Sequence, residues 1–183
     1  MRPFYSALLA SSLAFSLGAQ APKPKPEGAN TVKPVRIDWD GEWTLVADES
    51  DKLDSAIEAH VADLNFALKV YWKKKLQNAC TAWPNLDILA ASAFTLTLGK
   101  ERPVTLSPDG TATDWKRKDD EAFQASLRVD GPRMVQTLEA KDHILSLAYS
   151  LRPEGDSLAL QVTYTHPKLA NPFSYKLVYR RKG

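Results

Sequence analysis

From residue 94 to residue 181 the chain alternates apolar and polar positions in seven short runs, each closed by a turn signal. Phe94, Leu96 and Leu98 share one face, with Thr95 and Thr97 on the other. Val104 and Leu106 follow Gly99-Lys100, and Ser107-Pro108-Asp109-Gly110 turns the chain toward a run marked by Trp115. Phe123, Ala125, Leu127 and Val129 share the next face, which Asp130-Gly131 ends. Leu145, Leu147, Tyr149 and Leu151 form another, then Leu158, Leu160, Val162 and Tyr164 after Pro153-Glu154-Gly155-Asp156. The last is Phe173, Tyr175, Leu177 and Tyr179. Alternation with a period of two predicts strands with one apolar face, and short connections predict antiparallel neighbours.

Trp43 and Leu45, among Glu42, Thr44 and Val46, predict one further strand before these. Between the two regions the period changes. Leu53, Ile57, Val61, Leu64, Leu68, Trp72 and Leu76 are spaced by three or four, the stripe of a helix. Glycine and proline are absent from residue 50 to 83, so the pattern predicts one long helix or two abutting ones over about 50–80. Ser50 or Asp51 is placed to cap its start. Lys73, Lys74 and Lys75 suit the negative end of its dipole and read as a solvated face.

The elements together predict a mainly β fold: an antiparallel up-and-down meander barrel of about eight strands, with a long helical insertion after the first. Closure removes the exposed edges that an open meander would leave. A barrel of this size either fills its interior with side chains or holds one small ligand.

Composition adds a compartment. Residues 1–21 read as a signal peptide: Arg2 is its lone charge, an apolar stretch runs from Ala7 to Leu17, and Ala19-Gln20-Ala21 suits cleavage. Residues 22–36 hold Pro22, Pro24, Pro26 and Pro34 among lysines and predict an extended tether. The folded domain is expected over 37–183. The formal charge of +2 falls to +1 without Arg2, which argues against nucleic acid as a partner. Export to the periplasm or the medium is therefore expected. Cys80 is the single cysteine, so no internal disulfide can form, and it reads as a buried small hydrophobe.

Gly41-Glu42-Trp43 opening a strand, with Tyr179-Arg180-Arg181 ending the meander, resembles the lipocalin and fatty-acid-binding (calycin) superfamily. The resemblance implies that Trp43 plugs the closed end and that Arg180 or Arg181 packs across it. With Arg180 as the lid, Arg181 is left to orient a ligand's head group. A helical segment after the first strand looks like the lid of intracellular fatty-acid-binding proteins. Their Arg-x-Tyr pair on the last strand is reversed here, as Tyr179 and Arg181. The segment from Ser50-Asp51 to Leu76 also looks like exported bacterial lipocalin-like proteins, which carry no assigned activity.

Other chemistry is sparse. His60, His143 and His166 are isolated in sequence, and no phosphate loop, G-x-S-x-G or H-E-x-x-H occurs. Asp38, Asp40 and Glu42 lack the ligand spacing and turn glycine of a calcium loop. No catalytic residue, cofactor or metal site is expected. The expected function is non-enzymatic binding of a small hydrophobic or amphipathic molecule among Phe94, Leu96, Phe123, Leu127, Leu145, Tyr149, Leu160 and Tyr164, with Arg181 at its polar end. The alternative is a barrel with a solid core that engages a protein of the cell envelope.

Overall fold

A computed structural model describes residues 37–183. The signal-like segment and the proline-rich tether lie outside them. Ten strands, two more than the alternation predicts, form a single antiparallel sheet. They are β1 (Gly41–Leu45), β2 (Asn85–Ala90), β3 (Phe94–Leu98), β4 (Val104–Leu106), β5 (Thr113–Lys116), β6 (Ala122–Asp130), β7 (Arg133–Glu139), β8 (Ile144–Leu151), β9 (Ser157–Thr165) and β10 (Phe173–Arg181). The order across the sheet is β4-β3-β2-β1-β10-β9-β8-β7-β6-β5, a meander whose first strand is seated beside its last. β2 and β7 are the two additions. β7 escapes an apolar count because Gln136 stands on its inward face between Met134 and Leu138.

The two ends of the sheet come close enough to make the barrel nearly closed. Asp109 bridges to Arg128, and the Val129 amide donates to the Pro108 carbonyl at 3.3 Å. The Trp115 indole adds a bond to the Arg102 carbonyl at 3.1 Å. These few contacts stand where a full ladder would otherwise join β4 to its neighbour.

The insertion is two helices, α1 (Leu53–His60) and α2 (Phe66–Ala79). The break at Val61–Asn65 needs no glycine or proline, because Asn65 caps α2 by accepting the Leu68 amide at 3.0 Å. Neither Ser50 nor Asp51 caps α1, whose N-cap is Lys52 without a side-chain bond. Both instead tie the approach to α1 onto β10. The Ser50 hydroxyl accepts from the Val178 amide at 2.9 Å, and the Asp51 carboxylate from the Lys176 amide at 2.7 Å. Ile57, Trp72 and Leu76 are buried as the stripe predicts, whereas Leu68 is exposed.

Towards one end of the barrel Trp43 is fully buried. Its partner is Arg181, whose guanidinium lies 4.8 Å from the indole centroid while also donating to Asp38 at 2.8 Å and to its carbonyl at 2.7 Å. The arginine over the indole is thus Arg181 and not Arg180. Trp43 pairs with Arg181 in the ladder and shares its face, whereas Arg180 points outward to Glu49 at 2.9 Å. Gly41 has φ of +143°, a conformation that favours glycine, and the Arg181 side chain runs over it.

The interior is packed. Leu127, Leu147, Leu158, Leu160, Val162, Tyr164, Leu177 and Tyr179 have no accessible surface, and they join one apolar cluster with side chains from every strand. The linker after α2 is bound to the inner face of β10: the Tyr175 and Tyr179 hydroxyls donate to the Thr81 and Trp83 carbonyls, each at 2.9 Å. A wall facing empty space wide enough for water would keep some accessible surface. In a core filled like this, truncating a leucine removes contacts that cannot be regained. Leu160→Ala, between Tyr149 and Leu177 in the ladders, should cost about 2–5 kcal/mol in urea unfolding. A loss below about 1 kcal/mol would show that the interior has room to spare.

Candidate functional site

The helices cover the end of the barrel opposite Trp43. His60 meets Phe173 with ring centroids 5.3 Å apart, and Trp72 meets His166 at 5.0 Å. Trp72 belongs to the helix stripe, and His60 ends α1 beside that stripe, so both rings reach the strand ends. Between α2 and the β5–β6 and β7–β8 turns lies a pocket of about 390 Å³. Val70, Tyr71 and Ala79 give it an apolar wall; Arg117, Glu121, Asp142 and His143 give it a polar one.

The polar wall is a network of paired charges. Lys75 binds Asp142 at 2.6 Å. Arg117 donates to Asp119 at 3.0 Å and reaches Glu121 at 2.8 Å. The hydrogen bond from Arg117 holds the Asp119 carboxyl at about 2, and Arg117 itself is held above its ordinary value. Asp142 is held well below the carboxylate range, first by the His143 hydrogen bond and then by Lys75. On the floor, His143 stacks on Tyr164 at 5.1 Å and meets Phe123 edge-on at 5.8 Å.

His143 is the distinctive group. Its Nδ1 lies 2.8 Å from Asp142 Oδ1. An ionised carboxylate only accepts, so in the neutral ring the proton sits on Nδ1 and the lone pair on Nε2. His143 is 5% exposed, and Nε2 has no hydrogen-bond partner among the described residues; Glu121 Oε1 is 4.0 Å away. The Tyr164 hydroxyl is likewise buried and unpartnered. Burial pushes the Tyr164 hydroxyl pKa up, so it remains protonated.

No family model and no curated protein matches the chain. Solved structures do. Human cRBP IV matches at 18% identity and a TM-score of 0.50, covering 79% of this chain and 98% of its own. A secretory abundant heat soluble protein from Ramazzottius varieornatus matches at 11% and 0.51, covering 79% and 95%. Fatty-acid-binding protein 1 of Echinococcus granulosus gives 12% and 0.48, covering 79% and 98%. The fold is calycin-like. At these identities the likeness concerns the calycin architecture alone.

Within that architecture, Phe94, Leu96, Phe123, Leu127, Leu145, Tyr149, Leu160 and Tyr164 all face inward and are buried. Phe123 also lines a hollow of about 650 Å³ with Trp115 and Ala140. Tyr149 is satisfied internally, donating to Gln136 Oε1 at 2.9 Å. Arg181, expected at a ligand's head, is at the opposite end from the pocket. The pocket instead gathers Lys75 and His143, read from the sequence as part of a solvated face and as an isolated histidine, with Arg117, Glu121 and Asp142, which no sequence pattern marked for a site. A signal for part of this group existed. Tyr164 pairs with Leu145 and Thr165 with Ile144, so the same register places His143 opposite His166. The acidic trio at the other end is committed to pairing, with Asp38 on Arg181, Asp40 accepting from the Ala90 amide, and Glu42 on Lys182. Among the described residues no group of three or more His, Cys, Asp or Glu could hold a metal ion.

The mouth should set the response to acid. Burial, the first cause for each, holds His60 and His166 below 6.5. The unfolded chain therefore takes up those protons first as pH falls, and stability is lost below about 6.5. Asp142, depressed in the folded state, contributes fully above 3.8 and loses its contribution as pH falls through its lower folded value. Urea midpoints should therefore rise with pH in two steps. Replacing both His60 and His166 with Phe should flatten the upper step, and Asp142→Asn should reduce the lower, to which Asp38, Glu49, Glu58, Asp109 and Asp119 also contribute. A wild-type midpoint constant over both ranges would contradict this account.

Proposed function

We propose that the chain is an exported, non-enzymatic binding protein that takes a small hydrophobic or amphipathic molecule at the mouth of its barrel. The observation carrying this reading is the pocket of about 390 Å³ under α2, with apolar Val70, Tyr71 and Ala79 facing a polar wall. Ligand sites commonly combine an apolar lining with a few placed polar groups. The calycin-like fold supports the reading, since structures sharing it include proteins named for binding fatty acids. Export rests on the charge, apolar stretch and small residues of 1–21, and periplasm or medium is the compartment proposed.

A second reading is favoured by the packed interior: a solid-core envelope module that engages a protein and holds no ligand. Exposed Phe66 and Val70, one turn apart on α2, would then belong to its contact surface. Binding of the neutral fluorophore N-phenyl-1-naphthylamine separates the two. The expected outcome is saturable binding that Asn78→Trp weakens about tenfold, by filling the pocket from an exposed position, while the urea midpoint is kept. Binding untouched by that variant would place the site elsewhere. Absence of binding would favour the solid module.

A further inference from the structure

We infer that the pocket under α2 selects a neutral head group that donates a hydrogen bond, an alcohol in preference to a carboxylate. The inference rests on reading the pocket as a ligand site. Two of the cations lining it already have anionic partners: Lys75 has Asp142 at 2.6 Å, and Arg117 has Glu121 at 2.8 Å with Asp119 beside it. Lys74 is exposed on the rim and forms no ion pair among the described residues, so water screens its charge. An incoming carboxylate would have to compete with Glu121 and Asp142 for the cations inside.

The unmet demand in the pocket has the opposite sense. In the neutral ring His143 Nε2 is a buried lone pair with no donor, because Nδ1 faces Asp142 at 2.8 Å. A hydroxyl donates to such a lone pair, whereas an ionised carboxylate has no proton to give and would set two acceptors against each other. Leaving a buried polar group unpaired is costly enough to discriminate head groups on one chain by about five- to 150-fold. The alkyl part would lie on Val70, Tyr71 and Ala79.

The test is displacement of N-phenyl-1-naphthylamine from the full chain by decanol, decanoate and decyl methyl ether, which share one hydrocarbon chain. Decanol should act at about tenfold lower concentration than the ether or decanoate. His143→Phe, which keeps a ring on Tyr164 but removes the acceptor, should bring alcohol and ether level. If that variant does not fold, His143→Leu serves instead: it also removes the acceptor and should bring alcohol and ether level. Decanoate acting at the lowest concentration, ether equal to alcohol, or a preference that survives in the folded variants would overturn the inference while keeping the ligand site. Failure of all three compounds to displace the dye would overturn the ligand site itself.

Discussion

The pairing of β1 with β10 is the constraint on which the remaining arrangement depends. It joins the first strand of the sheet to the last, with Trp43 opposite Arg181 and Leu45 opposite Tyr179. Once those partners are fixed, the other strands follow as hairpins between neighbours in sequence. The pairing also holds the Arg181 cation over the buried indole. Beyond Leu45 the chain stays attached to β10 through the Val46, Ser50 and Asp51 contacts, which carry it the length of the barrel and deliver the helices to the far end. One ladder thereby sets the position of both ends.

Within that frame the division of labour is between a filled middle and a polar mouth. The middle is stabilised by apolar burial and by tyrosines whose hydroxyls find internal acceptors, as in Tyr149 with Gln136 and Tyr179 with Trp83. The mouth holds charges that would be costly in the middle, and pairs nearly all of them. His143 sits at the boundary. Its ring packs on Phe123 and Tyr164 like a core residue, while one nitrogen faces the charged wall. This double membership explains why a residue that parity assigns to the apolar face is also the polar group most in need of a partner.

The barrel was legible in the sequence because strands with one buried face repeat every two residues. It was less legible where a single inward position is polar, as at Gln136 in β7, or where an exposed apolar residue breaks the alternation, as at Leu89 in β2. The helical stripe was also readable, but its division at Asn65 was not, since hydrophobic spacing continues across the break while the cap acts through one side-chain oxygen. The candidate site was the least legible part. Lys75, Arg117, Glu121 and Asp142 lie on a helix and two turns, and only the closure of the sheet brings those segments together. Local patterning reports which face a side chain takes; it does not report which distant turns share an end.

Cys80 follows α2 at the base of the mouth, 2% exposed, its thiol pushed up to about 12 by burial. The sulfur is therefore protonated and shielded in the folded chain, while any opening that exposes it returns the ordinary reactivity of a free thiol. In an oxidising compartment, damage would then be set by how often and how long the helices lift from the barrel. The lone cysteine makes the chain's chemical lifetime a record of its conformational lifetime.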